Sequence, residues 1–237
     1  MTGTTKIYTG GVAPPTDNRY HYDVTGRTML WEITPLAKGT AVLAALQTLG
    51  GAGNMVLTAG TGVTSRVGPT GVTWYDLDVP RAITLTSAGN ISGVNFTITG
   101  IDDWGYNISH VMAGPNANTV TSTKCFKTII SIAANGAVGT NTSVGIDDIF
   151  EFPICVLDRG FVPVVFWNGA SDTGGTFTAA VTTDPATTTT GSPRGKWAVS
   201  SAADGVKKLI AGIHMSNAQV AAAAGAGNIK LFRGVTQ

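Results

Sequence analysis

The stretch VPRAITLTSAGNISGVNFTITGI, residues 79–101, decides the fold. Ile83 and Leu85 alternate with Thr84 and Thr86, and Val94, Phe96 and Ile98 alternate with Asn95, Thr97 and Thr99. A period of two puts aliphatic groups on one side of an extended chain and polar groups on the other, the pattern of a strand with one buried face. Asp102-Asp103-Trp104-Gly105 then supplies turn chemistry, and YNISHVM (106–112) returns as a partner. A hairpin with Trp104 at its tip is predicted.

Working outward, TKCFKTIISIAANG (123–136) presents Phe126, Thr128, Ile130 and Ile132 on one face, and its closing Asn135-Gly136 tolerates the positive φ of a tight reversal. A short strand around Thr142–Ile146 follows. IFEFPICVL (149–157) and FVPVVFWNG (161–169), split by Asp158-Arg159-Gly160, read as buried strands, with Pro153 and Pro163 marking edges or bulges. TFTAAVTTD (176–184) reads as a further strand, PATTTTGSPRG (185–195) as a polar loop, and VKKLIAGIHM (206–215) and NIKLFRGV (228–235) as closing strands. Between these last two, Ser216 and an alanine run predict a short helix near 217–224. LAKGTAVLAALQTL (36–49) is ambiguous: Thr34, Pro35 and Gly50 would bound a helix, whereas Gly39 and the following GGAGN favour a hairpin, the reading adopted. Eight to twelve short strands with regular turns predict an all-β, antiparallel β-sandwich of the jelly-roll kind.

Residues 1–30 lack a periodic apolar face, and Gly10-Gly11, Pro14-Pro15 and Asp17-Asn18 break any regular element. Tyr8, Tyr20 and Tyr22 nevertheless need something to pack on. The segment is read as an extended N-terminal arm that lies along a neighbouring subunit or over its own domain. Residues 31–237 would then form the sandwich, with a possible subdivision near 150. Tyr8, Tyr20, Tyr22 and Trp104 are the candidate subunit-contact residues.

Charge narrows the function classes. The chain has 15 basic and 14 acidic side chains in 237 residues, or 12% charged, about half the usual fraction. A net charge of +1 leaves little self-repulsion, which suits a protein that ends in a large assembly. Nucleic acid is not an expected partner, because the densest basic pairs, Lys124 with Lys127 and Lys207 with Lys208, make no stripe and read as solvated strand faces. No membrane span or signal peptide is expected either. Cys125 and Cys155 are too isolated for a disulfide framework or a metal site and read as small core thiols made in a reducing cytoplasm.

No catalytic set emerges. His21, His110 and His214 are scattered, and Ser87 lacks the glycine of a nucleophile elbow. The glycine-rich stretches lack the lysine ending of a phosphate loop. Asp76 and Asp78 flank Leu77 and would share a strand face, while Asp102-Asp103 and Asp147-Asp148 are adjacent pairs of the kind that form turns. Two carboxylates can hydrolyse a glycosidic bond when held across a sugar, so a glycan-processing enzyme is the weakest of three readings. No cofactor, metal or catalytic residue is assigned.

The run from Val79 to Ile132, with Val79-Pro80-Arg81, Ser87-Ala88-Gly89-Asn90, Phe96-Thr97-Ile98-Thr99-Gly100, Gly114-Pro115-Asn116, and Thr123-Lys124 through Phe126-Lys127-Thr128, resembles a pattern widespread in virion genes of tailed phages. GAGNMVLTAG (51–60) resembles the strand that precedes it, and Ile108–Met112 departs from it by being less polar. The resemblance spans residues 51–146 and implies a minor virion protein of the capsid decoration, or cement, type. Its partner would be the major capsid protein, its state a homo-oligomer (dimer or trimer), and its location the capsid surface after synthesis in the host cytoplasm. The alternative is a tail or fibre module that binds a host receptor or glycan.

Overall fold

A computed structural model describes residues 6–8, 27–181 and 190–215. Its strands are β1 Lys6–Tyr8, β2 Arg27–Ile33, β3 Gly39–Leu49, β4 Gly53–Asn54, β5 Val63–Val67, β6 Thr73–Ser87, β7 Asn95–Ile101 and β8 Asn107–Ala113. They continue with β9 Thr119–Ala134, β10 Val138–Glu151, β11 Val164–Trp167, β12 Ala170–Ser171, β13 Thr176–Thr178, β14 Lys196–Ala198 and β15 Leu209–Met215. The one helical turn among the described residues is a 3-10 turn, Arg159–Phe161, where Gly160 N–H donates to the Asp158 carboxylate at 2.7 Å. Strands pair antiparallel throughout, as the alternation predicts, in two curled sheets arranged like a sandwich. The smaller has the order β1-β2-β15-β11-β12, and the larger β13-β14-β10-β6-β9-β7-β8, with β3 added on β10, β4 on β9 and β5 on β6.

The larger sheet curls around its own core, where Leu77, Leu85, Phe96, Phe126, Ile132 and Val144 are buried together. A second core lies where the smaller sheet meets the far end of β10. There Trp31, Trp167 and Leu209 pack with Phe150, Phe152 and Trp197. Each such side chain contributes about 1.5–3 kcal/mol by leaving water. The predicted hairpin is present: β7 and β8 pair from Asn95↔Ala113 to Ile101↔Asn107. Its turn is closed by Asp102, whose carboxylate accepts from the N–H groups of Trp104 at 3.0 Å and Tyr106 at 2.9 Å, with Gly105 at φ 86°.

Four local expectations need correction. Residues 39–49 form a strand, but β3 has its ladder with β10. The chain that follows returns along it only loosely, through Thr58 N–H to Leu43 O at 2.7 Å, Gly60 N–H to Val42 O at 2.8 Å, and the Gln47 amide bonding both main-chain groups of Val56. Asn135-Gly136 does not join paired strands: β9 and β10 both pair with β6, which lies between them. Strands running parallel in one sheet ordinarily need a connection of a dozen or more residues. Here three suffice, because the curl carries the end of β9 back towards the start of β10, and Asn135 is instead bonded to Asn95, whose N–H donates to its side chain at 2.8 Å. The third concerns Ile130, which is not on the face of Phe126 and Ile132. Register slips between Thr99↔Ser131 and Gly100↔Ile129, so Ile129 turns into the core and Ile130 is only half buried. Finally, two expected strands are cut short: the one at 149–157 is a strand only to Glu151, as the end of β10, and the one at 176–184 is confined to Thr176–Thr178. Tyr20, Tyr22, the helix near 217–224 and the strand at 228–235 lie outside the described residues, and Tyr8 ends β1 at the rim of the smaller sheet.

The crossing of β10 and β3 leaves no room for a side chain at Gly145, where a Cβ would stand 2.0 Å from the Gly39 carbonyl oxygen. Gly145→Ala should lower the unfolding free energy by about 2–3 kcal/mol in urea titrations. Gly139→Ala, in the same strand with open space around it, should change it by less than about 0.5 kcal/mol.

Candidate functional site

The polar groups inside the molecule gather where β6 breaks register. Between Asp76↔Thr128 and Arg81↔Phe126, β6 has four residues against one on β9. Pro80 sits in this excess and has no N–H to give the ladder, which is why proline is found in sheets at bulges. Lys127 stitches the opened backbone, donating to Leu77 O at 2.6 Å and Asp78 O at 2.8 Å. Arg81, fully buried, then reaches across the gap. Its guanidinium donates to Asp148 at 2.8 Å, Asp78 at 3.1 Å, the Asp147 carbonyl at 2.9 Å and the Leu36 carbonyl at 3.1 Å, and stands 5.1 Å from the Phe150 ring centroid.

The aspartate pairs singled out by sequence are held by this frame. Asp76 and Asp78 do flank the buried Leu77: Asp76 accepts from Arg66 and Thr128, and Asp78 from Arg81 and the Leu36 N–H. Asp147 and Asp148 part company electrostatically. Burial works against ionisation of Asp147, but Lys38 at 3.0 Å, the Asp148 N–H and Thr121 outweigh it and hold its carboxyl below the usual range. Burial wins at Asp148 and pushes its carboxyl up, although Arg81 and the Ala203 N–H oppose it.

A second ionic group fills the wall of the other core. Glu151 accepts from Ser192 and from Arg194, all three buried. Burial pushes the Glu151 carboxyl up against the pull of Arg194. Arg194 Nη1 stands 4.0 Å from Asp102, and its guanidinium carbon lies 5.4 Å from the centroid of the Trp104 ring. Trp104 itself is half buried, packs on the second core and donates its indole N–H to Pro153 O at 3.1 Å. The structure thus lays this candidate contact residue against its own chain at the hairpin tip.

Several polar residues differ from the sequence reading. Lys124 is fully buried and donates to Ser109 O at 2.9 Å, so with Lys127 it forms no solvated face. Lys208 is exposed as expected and pairs with Glu32 at 2.8 Å, whereas Lys207 is half buried and donates to Ala202 O at 2.7 Å. His110 is buried beside Thr123, whose N–H donates to its Nε2 at 3.3 Å, and His214 Nδ1 lies 3.1 Å from the Thr28 hydroxyl. Cys125 and Cys155 are buried thiols in no disulfide, and burial pushes both up, Cys155 to about 12. Sequence reasoning missed the buried roles of Arg81, Lys124, Glu151 and Arg194. A signal existed for two of them: Arg81 keeps step with Val79, Ile83 and Leu85, and Lys124 with Phe126, so each stands at an inward position of an alternating strand.

Among the described residues no cluster of three or more His, Cys, Asp or Glu side chains is placed to hold a metal. The charged side chains exposed among the described residues, Lys38, Arg66, Asp103, Asp158, Arg159, Asp204 and Lys208, are scattered among neutral ones. Large apolar groups stand out on the outer face of the smaller sheet, at Val164 and Phe166, and on the larger sheet around Leu46, Val56, Val67 and Val72.

Arg81→Met should destabilise the protein by about 3–5 kcal/mol, since it leaves the buried Asp148 with only the half-exposed Lys38 at 3.9 Å as counter-charge. Adding Asp148→Asn should restore part of that loss, read as a coupling of about 1–3 kcal/mol in a double-mutant cycle. Lys38→Ala should cost only about 0.5 kcal/mol at neutral pH, because the pair is part exposed. Asp147 has a folded pKa below its unfolded 3.8, so the pair's contribution is present above that value and is lost as the pH falls through the folded one. Urea midpoints of the parent and Lys38→Ala should therefore converge below pH 3.8.

No family model, curated protein or solved structure matches the chain.

Proposed function

We propose that the chain is a structural virion protein of a tailed phage, a capsid decoration or cement protein that binds the major capsid lattice as a homo-oligomer and stabilises the head without catalysing a reaction. The observation that carries this reading is where the few charges go. Of 15 basic and 14 acidic side chains, Arg81, Lys124, Arg194, Asp102, Asp148, Glu151 and Asp172 are all buried. The exterior is correspondingly poorer in ions than the composition suggests. Such a surface meets a partner through hydroxyls, amides and isolated aliphatic groups, which lose little on leaving water when each finds a mate.

The sequence resemblance over residues 51–146 supports the same reading. That block corresponds to β4 through most of β10, which contribute nearly all of the first core. It is therefore a body with its own interior, to which the smaller sheet is added.

Particles assembled without this chain should release DNA at a lower temperature than complete ones, and adding the purified protein back should restore the difference. An unchanged release temperature rejects the cement role. Quantitative mass spectrometry of particles should find hundreds of copies, whereas a handful would move the assignment to a tail or fibre.

A further inference from the structure

One edge of β9 is interrupted. At Ala133 and Ala134 the strand is paired by β7 on one side and by β4, through Asn54 and Gly53, on the other. β6 occupies that second side only as far as Tyr75↔Ile129, and Met55 N–H takes up Ile132 O at 2.8 Å. Ile130 and Ser131 therefore face an interval between two strand ends, and Ile130, the bulged residue, has no register partner on either side. The interval opens as a slot of about 420 Å³, with Asn54 and Leu57 on one wall, Val72, Thr73 and Tyr75 on the other, and Ser131 on the floor. The Tyr75 hydroxyl donates to Leu57 O at 2.8 Å and so fixes the two walls relative to each other.

The slot's shape and chemistry restrict its occupant. From Ile129, paired with β6, to Ile132, bonded by Met55, is three residue steps or about 10 Å, too short for a peptide to add as a strand, yet wide enough for a sugar ring. Its volume falls within the usual range for small-molecule sites. No charged side chain lines it, so an ion would lose hydration with nothing to replace it. A wholly apolar ligand would leave Asn54, Thr73 and Ser131 dehydrated and unpaired. A pyranose offers both an apolar C–H face for Val72, Leu57 and the Tyr75 ring and hydroxyls for the three polar side chains. We propose that this slot is a binding site for a neutral saccharide of one or two rings. The proposal does not depend on the virion reading, because the particle measurement above does not involve the slot.

Saturation-transfer NMR on the full chain, with the methyl glycosides of glucose, galactose, mannose and N-acetylglucosamine at about 10 mM, tests it on the millimolar scale of single-site sugar contacts. At least one glycoside should show transfer. Asn54→Ala should weaken it about tenfold, as expected for one lost hydrogen bond to a well-placed hydroxyl. Val72→Trp, which fills the mouth from an exposed position, should abolish transfer while leaving the thermal midpoint unchanged. Absence of transfer from all four glycosides overturns the proposal. So does transfer that persists in Val72→Trp, or an apolar or charged probe that competes for the slot better than the best glycoside.

Discussion

The loss of one hydrogen-bond donor at Pro80 shapes most of the molecule. Because the ladder cannot close there, β6 spreads four residues against one on β9, and the strand changes what it faces. Leu77 and Ile83 point into the first core, while Val79, between them, belongs to the second. β10 makes the matching slip between Ile146↔Ile83 and Phe150↔Arg81, and it too passes from one core to the other. A double irregularity of this kind would expose carbonyls to an apolar interior. Arg81 and Lys127 prevent that, since their donors are taken up by the main-chain oxygens of Leu36, Asp147, Leu77 and Asp78. The two cations serve as structural cement for a bent sheet, with Asp78 and Asp148 balancing Arg81.

The regular part of the fold was legible in the sequence because it obeys period two. β7, β8, and the second half of β6 are strands on the evidence of their side chains alone, and Asp102 makes the turn its chemistry suggests. What could not be read were the interruptions. Phe126, Thr128, Ile130 and Ile132 look like one face, but the slip at Ile130 depends on how β7 sits against β9, a long-range pairing with no local mark. Asn135-Gly136 looks like a hairpin turn, and only the interposed β6 shows otherwise. The candidate site was half legible. Arg81 and Lys124 occupy inward phases, which is unusual enough to notice. Glu151 occupies the phase opposite Phe150 and Phe152, and it is buried because the segment bearing Ser192 and Arg194 covers it. Trp104 could have faced outward from its hairpin. What draws it in is a carbonyl at Pro153 and a guanidinium at Arg194, both far along the chain.

The interior ions and the ion-poor exterior are two aspects of one arrangement. A surface made largely of threonine, serine, asparagine and small aliphatic groups, with scattered charges and a net charge of +1 over the chain, has little long-range field. Each neutral hydrogen bond is worth about 1 kcal/mol at best, so useful affinity requires many of them to be made at once. That in turn requires the donors and acceptors to be presented without the entropic cost of ordering flexible segments on contact. Part of the described chain's charge lies inside, where Arg81 with Asp148 spans the bulge of β6 and Arg194 with Glu151 ties the segment before β14 to the end of β10. A buried ion pair is a poor source of stability but a good determinant of register, since any slip strands a charge in an apolar medium. In this chain the buried ions therefore hold the bent sheet in one geometry.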